Sequence, residues 1–145
     1  MNYRFDLANM NWGTGVVDLG FYGYFPKTLE NAPAQDVPPD EAVGEINTSK
    51  RQFQWNARYM STHWNLGLSA NYTSGAVYDL NNTVETRDFA GIPSFTSYDA
   101  NVGYALDSHT SVNLAALNVT DKLAAFPWVY DGLGRRYMLT LNHRF

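Results

Sequence analysis

The side chains best suited to chemistry in this chain are its three histidines, His63, His109 and His143. A metal site or an acid–base catalyst needs such groups close to one another or to carboxylates, and short motif spacings are the usual sign. The histidines lie far apart, in or near tight connections and at the end of a strand pattern, without a Ser-His-Asp order or a paired-carboxylate motif. The sequence therefore predicts solvated or interfacial histidines, and it indicates no metal site, cofactor or catalytic centre.

Acidic residues cluster between 36 and 45, where Asp36, Asp40, Glu41 and Glu45 surround a Pro-Pro pair. A calcium-binding loop needs the register Asp-x-Asp-x-Asp-Gly, which this stretch lacks. We therefore expect a mobile, solvated loop. The formal net charge is −4 and no basic stripe is present, so the sequence argues against a nucleic-acid partner.

Three aromatic residues, Phe126, Trp128 and Tyr130, alternate within a long segment that has no strand pattern. Aromatic rings in an external loop can stack on a ligand, and aromatic rings at the edge of a bilayer anchor a protein to the lipid interface. Both roles stay open for these three. The chain as a whole has 15% aromatic residues, and outer-membrane barrels place such residues in belts at both bilayer interfaces.

The clearest secondary-structure signal lies at the C-terminal end, between 135 and 145. Apolar or aromatic residues alternate there with polar, mostly cationic ones: Tyr137, Leu139, Leu141, His143 and Phe145 against Arg136, Met138, Thr140, Asn142 and Arg144. Alternation with a period of two predicts a half-buried β-strand. No apolar run approaches the about 18 residues of a transmembrane helix, so a membrane location would require strands.

The same alternation recurs along the chain and predicts an all-β fold of about seven strands. The predicted strands cover about 3–8, 16–25, 51–60, 64–72, 98–106, 110–119 and 135–145. All six prolines lie in or at the edge of three long connections, at about 27–50, 75–94 and 120–134. These long connections alternate with tight turns, which is typical of an antiparallel up-and-down transmembrane β-barrel with long external loops.

In a barrel of this kind, the polar face of each strand points into a wet lumen. The lumen-facing candidates are Asn56, Arg58, Asn65, Asn71, Asp99, Asn101, Arg136, Asn142 and Arg144. Seven strands do not close such a barrel, because single-chain outer-membrane barrels contain even numbers of strands from about eight upward. We therefore expect a segment of a larger barrel whose first strand is cut short.

Two other architectures fit the same alternation. A small, complete outer-membrane barrel of about eight strands, with an adhesive or structural role, would need an additional strand within 27–50 and pairing between 1–8 and 135–145. A soluble, lipocalin-like binding barrel would bury its apolar side chains in a dry core. That alternative places these residues inside: Trp55, Trp64, Leu66, Tyr104 and Leu139.

Motifs in the last third of the chain carry a family resemblance. The segment 118–122, Asn-Val-Thr-Asp-Lys, resembles the Asn-Leu-x-Asp-Lys segment near the end of TonB-dependent outer-membrane receptors. The stretch 97–104 resembles the strand that precedes this segment in the family, and 130–137 resembles the approach to its final strand. The chain also ends on Phe145, as members of the family do. The resemblance is strongest over 95–145 and is architectural before that.

The resemblance implies a barrel of 22 strands filled by an N-terminal plug domain, with residues 1–145 supplying the last seven strands. We expect the plug domain, the TonB-binding segment and a secretory signal to be missing from this sequence. The implied function is TonB-dependent uptake of a nutrient such as a siderophore, a vitamin or a carbohydrate by the parent protein. Its location would be the outer membrane of a Gram-negative bacterium, with the long loops outside.

The resemblance also implies a set of partners. Outer-membrane lipid would surround the barrel, TonB would act through the missing N-terminal part, and an unidentified small molecule would be the ligand. The barrel-assembly machinery would recognise the C-terminal strand. The residues expected to form this assembly signal are Tyr137, Leu139, Leu141 and Phe145.

Overall fold

The chain is an all-β protein in a computed structural model that describes residues 1–32, 36, 38–81, 85, 91–123 and 132–145. No helix that is long and apolar enough to cross a membrane occurs in this described part. The strands, in chain order, are β1 (Asn2–Asp6), β2 (Val16–Tyr24), β3 (Glu30–Asn31), β4 (Asp40–Glu41), β5 (Gln52–Met60), β6 (Trp64–Thr73), β7 (Ala76–Val77), β8 (Gly91–Ile92), β9 (Phe95–Ala105), β10 (Thr110–Leu117) and β11 (Arg136–His143).

Seven of these strands form one antiparallel sheet in the order β1-β2-β5-β6-β9-β10-β11. Each long strand therefore lies beside the next long strand of the chain, which is the up-and-down topology predicted from the alternating connection lengths. Tight turns join the strands at one end of the sheet, which we call the turn end. The long connections lie at the opposite end, the loop end. The predicted all-β, up-and-down sheet is confirmed.

The sheet is an open arc. In the described residues β1 pairs with β2 and β11 pairs with β10, and no pairing joins β1 to β11. The small, closed barrel was therefore wrong for this chain. The additional strand that this barrel needs within 27–50 does not join the main sheet. The strands described there, β3 and β4, pair with each other instead.

Some strand ends differ from the predicted ones. β1 ends at Asp6. The Leu7 amide still donates to the Gly15 carbonyl in the same register, at 3.0 Å, but the Leu7 carbonyl accepts from the Trp12 amide, also at 3.0 Å, so the backbone turns there. β10 ends at Leu117 because Asn118 adopts a φ of 50°, which takes the backbone out of the extended region. β9 begins earlier than predicted, at Phe95, since Phe95, Thr96 and Ser97 continue its ladder with β6 without any alternation of polarity.

The pairing register separates two faces across the whole sheet, because directly opposed residues of antiparallel strands lie on the same side. The positions that pair on the first side define the apolar face: Tyr3, Phe5, Val17, Leu19, Phe21, Gly23, Phe53, Trp55, Ala57, Tyr59, Trp64, Leu66, Leu68, Ala70, Tyr72, Thr96, Tyr98, Ala100, Val102, Tyr104, Thr110, Val112, Leu114, Ala116, Tyr137, Leu139, Leu141 and His143. None of these is Asp, Glu, Lys or Arg. The intervening positions of the same strands form the polar face.

The apolar face is not a protein core. The residues that a lipocalin-like barrel would bury are exposed, with relative accessibilities of 43% for Trp55, 45% for Trp64, 37% for Leu66, 37% for Tyr104 and 72% for Leu139. The dry core that this alternative predicted was therefore wrong for the described sheet. The sheet is a single layer, and the buried apolar residues of the described chain, Val43, Ala76 and Ile92, all lie in the long connections.

Glycine–asparagine pairs connect neighbouring strands on the polar face. Gly20 lies opposite Asn56, Gly67 opposite Asn101, and Gly103 opposite Asn113. In each pair the side-chain amide of the asparagine occupies the space that a Cβ on the glycine would need. The glycines therefore let the amides lie flat along the sheet.

The first prediction concerns the pair formed by Gly67 and Asn101. Gly67→Ala should lower the free energy of unfolding by about 1–3 kcal/mol, because the added methyl collides with the Asn101 amide. In an Asn101→Ala background the same change should be neutral or slightly stabilising, since alanine lacks the conformational entropy of glycine. Urea titration in detergent, followed by tryptophan fluorescence, measures both. Equal costs in the two backgrounds would contradict the proposed collision.

The turn between β9 and β10 is organised by Asp107. Its carboxylate accepts hydrogen bonds from the backbone amides of His109, at 2.7 Å, and Thr110, at 2.8 Å. The hydrogen bond from the His109 amide is the main reason why the pKa of Asp107 lies below its ordinary value of 3.8. The charged form is therefore favoured in the folded chain.

The second prediction follows from the sign of this pKa shift. A carboxyl group with a lowered pKa in the folded state contributes stability above the unfolded pKa, and this contribution disappears as the pH falls through the folded pKa. The urea midpoint of the wild-type chain should therefore fall more steeply below pH 3.8 than that of Asp107→Asn, whose amide does not titrate. Parallel pH profiles for the two proteins would refute the role of the charge.

Candidate functional site

The polar face collects most of the residues predicted to line a lumen. Asn56, Arg58, Asn65, Asn71, Asp99, Asn101, Arg136 and Asn142 all lie at paired positions on this side of the sheet. Arg144 lies beyond the end of β11, where its amide donates to the His109 carbonyl at 3.0 Å. The structure thus brings eight candidates to one surface, and it places the ninth at the rim of the turn end.

Charged groups occupy the middle of the polar face. Arg4 on the edge strand forms an ion pair with Asp18, with 2.9 Å between Nε and Oδ1, and Asp18 lies opposite Arg58 in the register. The Asp99 carboxylate accepts hydrogen bonds from the Ser69 hydroxyl, at 3.3 Å, and from the backbone amide of Asn118, at 2.9 Å. Asp18, Arg58 and Asp99 border one concavity of about 520 Å³. The charges on this face are thus of both signs.

The two rows of the polar face nearest the loop end carry no charge. Reading across the strands, one row is Tyr22, Gln54, Asn71 and Ser97, and the other is Tyr24, Gln52, Thr73 and Phe95. We call these the neutral rows. They contain aromatic rings, carboxamides and hydroxyls side by side. These groups are uncharged and bind a ligand through stacking and hydrogen bonds. Among these residues the sequence analysis identified Asn71 alone, because the rows become visible when the register is known.

Segment 118–122, whose sequence resembles the receptor family, forms a latch between three strands. Asn118 is buried, with a relative accessibility of 6%. Its side chain donates to the Lys122 carbonyl at 2.8 Å and accepts from the Lys122 amide at 3.2 Å. The neighbouring Val119 amide donates to the Tyr98 carbonyl at 2.8 Å, which ties the segment to β9.

The second half of the latch holds the start of β11. Asp121 accepts a hydrogen bond from the Arg135 amide at 2.7 Å, and the Arg135 guanidinium donates to the Val119 carbonyl at 3.3 Å. Gly134 runs close to the Asp121 carboxylate, where a Cβ would collide with it. The motif therefore has a structural role, since it closes the base of the third long connection.

The first two long connections bond to each other and form a platform at the loop end. The Val77 amide donates to the Gly44 carbonyl at 2.8 Å, and the Ile46 amide donates to the Val77 carbonyl at 2.9 Å. Val43, Ala76 and Ile92 are buried there, and Ala76 pairs with Ile92. The sequence predicted loops without strands at 27–50 and 75–94, whereas the described residues there include β3, β4, β7 and β8.

The acidic residues of the platform are hydrogen-bond acceptors. Glu41 accepts from the Leu29 amide at 2.9 Å and from the Val43 amide at 2.8 Å, and the bond from Leu29 is the main cause of its lowered pKa. Glu45 accepts from the Leu80 amide, and Asp40 accepts from the Asn81 side chain. The sequence predicted a mobile, solvated stretch, whereas Glu45 and Asp40 join the two connections and Glu41 ties the first connection to itself. No group of three or more His, Asp or Glu in the described chain could hold a metal ion.

Aromatic residues concentrate at the two ends of the apolar face. At the loop end the ring of Phe53 packs against Phe21 and Tyr72, with centroids 5.9 and 5.6 Å away. At the turn end Trp64 packs against Tyr104, with centroids 4.6 Å apart. Between these aromatic belts the face is mostly aliphatic: Leu19, Ala57, Leu66, Leu68, Ala100, Val102 and Leu114.

The histidines lie at the turn end, as the sequence predicted, and each has a different environment. His63 stacks on Tyr104, with 6.1 Å between ring centroids. The His109 ring contacts the Ser108 hydroxyl at 2.9 Å. His143 contacts the Thr110 hydroxyl at 3.0 Å and lies 4.8 Å from the Phe145 ring.

The remaining predicted residues are the assembly signal and the loop aromatics. Tyr137, Leu139 and Leu141 lie on the apolar face of β11 and are exposed, as is Phe145 beyond the end of the strand. The ligand or interface candidates are outside the described residues: Phe126, Trp128 and Tyr130.

Comparison with known proteins gives a likeness of fold. The chain is similar to the ferric-catecholate import receptor Fiu from E. coli K12 in its closed form, with a TM-score of 0.53 and 16% sequence identity. The match covers 91% of this chain and 22% of that receptor. No protein-family model and no curated protein sequence matches the chain. The likeness supports the β-barrel segment as a fold, and this chain spans about a fifth of the length of that receptor.

The third prediction tests the latch. Asn118→Ala should lower the free energy of unfolding by about 2–4 kcal/mol, because it removes the bonds to Lys122 and leaves a non-glycine side chain at a φ of 50°. Asn118→Gly should cost less, since glycine tolerates that φ and only the hydrogen bonds are lost. Urea titration of both variants separates the two contributions. If both variants unfold at the wild-type urea concentration, Asn118 does not stabilise the chain.

Proposed function

We propose that the chain is the C-terminal, seven-strand part of an outer-membrane β-barrel receptor that imports a nutrient. The observation that carries this proposal is the strict separation of the two faces. Through every pairing of the sheet, the apolar face has no Asp, Glu, Lys or Arg, and an aromatic belt lies at each of its ends. A barrel in a bilayer needs this arrangement on its outer surface.

Strand dimensions support a membrane position. From Trp64 in one aromatic belt to Tyr72 in the other, β6 advances about 27 Å, at roughly 3.4 Å per residue. Strands of about 9–11 residues, tilted by about 45°, cross the hydrocarbon layer, and β2, β5, β6 and β9 contain 9, 9, 10 and 11 residues. The apolar face would then contact lipid, and the polar face would line the lumen.

The edge strands support a larger barrel. Lipid cannot supply hydrogen bonds to unpaired backbone groups, so a barrel must close. In this chain β1 and β11 each have one neighbour. The family resemblance implies that a preceding part of a 22-stranded barrel would pair with both edges, and that the apolar side of β11 with Phe145 would be read by the barrel-assembly machinery.

The import function rests on the family resemblance at 95–145 and on the likeness of fold to an import receptor. A transport role without catalysis fits both. The parent protein would take up a siderophore, a vitamin or a carbohydrate, and TonB would couple this uptake to energy through the N-terminal part. The platform and the third long connection would face the outside of the cell.

The fourth prediction tests the two faces. The chain has no cysteine, so single cysteines can be introduced at the adjacent positions Leu68 and Ser69. The protein is expressed in its natural reading frame in a Gram-negative host, and a fluorophore is attached at either site in outer-membrane vesicles. Quenchers on lipid chains should reach the label at position 68, whereas aqueous iodide should reach the label at position 69.

Val102 and Asn101 offer a matched pair on β9. The same pattern should hold there, with lipid contact at 102 and aqueous contact at 101. If both labels of either pair respond alike, or if the protein is absent from the outer-membrane fraction, the proposed location fails. The quenching measurement needs no ligand, so it tests the membrane position separately from the identity of the nutrient.

A further inference from the structure

We propose that the neutral rows bind an uncharged, polyhydroxylated ligand of the oligosaccharide class. This inference rests on the proposed function, because it takes the polar face as the wall of an import lumen. It narrows the nutrient to one class, and that class differs from the ferric catecholate named for the receptor of similar fold.

The composition of the rows matches the surface of a sugar. Tyr22 and Tyr24 project from β2 with relative accessibilities of 60% and 45%, and their rings offer flat π-faces on which the C–H face of a pyranose can stack. Gln52, Gln54 and Asn71 carry carboxamides, each with two donor hydrogens and an acceptor oxygen. A sugar hydroxyl both donates and accepts, so carboxamides satisfy it without needing an ion.

The rows themselves supply no cation for an anionic chelate. Such a ligand is bound by cations, and none of the eight residues in the neutral rows is cationic. Arg136 borders the same concavity as Asn71, Thr73, Phe95 and Ser97, and the carboxylate of Asp99 borders it too. Arg58 lies two rows further toward the turn end, opposite Asp18. Lys122 approaches the far edge of the rows, but its ammonium lies over the Phe95 ring, 5.5 Å from the centroid.

The platform above the rows strengthens this preference. Asp40, Glu41 and Glu45 place carboxylates along the first long connection, where they are fixed by backbone and side-chain donors. The described residues of this connection carry five acids against two cations, Lys27 and Lys50, so the net charge is negative. A net negative field lowers the local concentration of anions and has little effect on neutral molecules. The reciprocal bonds between Arg51 and Ser74 also anchor the platform at the ends of β5 and β6. The platform is therefore tied directly to the two strands that carry Gln52 and Thr73 of the rows.

The experiment uses the protein in its natural reading frame, purified in detergent and titrated calorimetrically. The probes are the neutral hexasaccharides of the malto, xylo, manno and chito series, and a ferric tris-catecholate complex. At least one hexasaccharide should bind, and the ferric complex should bind less tightly. Tyr22→Ala and Gln54→Ala should each weaken sugar binding about tenfold, which is the size of one stacking or hydrogen-bond contact. The control is Tyr98→Ala, an exposed tyrosine on the apolar face, which should leave the affinity unchanged.

Three results would overturn the inference: no hexasaccharide binds, the ferric complex binds more tightly than every sugar, or sugar binding is the same in Tyr22→Ala, Gln54→Ala and wild type. None of these results bears on the membrane position, which the paired cysteine labels test alone. Correct labelling with failed sugar binding would refute the ligand class and leave the barrel receptor standing.

Discussion

The pairing register is the constraint on which the rest of this structure depends. A slip of one residue between two strands would move every side chain of one strand to the opposite face. Six successive pairings keep the same parity, so Phe5 on the first strand and Leu139 on the last lie on one face. The apolar surface is therefore a property of the whole sheet and not of any single strand.

Several local interactions hold this register in place. At Gly20, Gly67 and Gly103, the side-chain amide of an asparagine on the next strand fills the space beside the glycine. This fit favours the observed pairing register over registers shifted along the strands. At the turn end Asp107 closes the β9–β10 hairpin. At the loop end the latch around Asn118 fixes where β10 stops and where β11 starts. Each of these interactions lies on the polar face or at a strand end. The residues of the apolar face therefore do not have to fix the register.

Alternation in the sequence was enough to predict the seven strands, their order and eight residues of the polar face, because period two is a local signal that Tyr137 to Phe145 and Trp64 to Tyr72 display clearly. The platform could not be predicted, since the bonds between Gly44 and Val77 join backbone groups that no side-chain pattern marks. The neutral rows needed the register, because Tyr22, Gln54 and Ser97 come from three strands. The motif at 118–122 was visible as a resemblance, and its role as a latch emerged from the hydrogen bonds.

The exposure of the apolar face connects the fold with its surroundings. A single-layer sheet cannot bury Leu68 and Leu139 against itself, and both are more than half exposed. At about 25 cal/mol per Å² of apolar surface removed from water, covering this face is a large part of the stability that the sheet can gain. A second protein layer would cover this face through interdigitated side chains, and the residues of the face would then match the shape of that layer. The proposed membrane position accounts for a face that is aliphatic in the middle and aromatic at both ends, because the hydrocarbon layer and its two interfaces follow the same order of polarity.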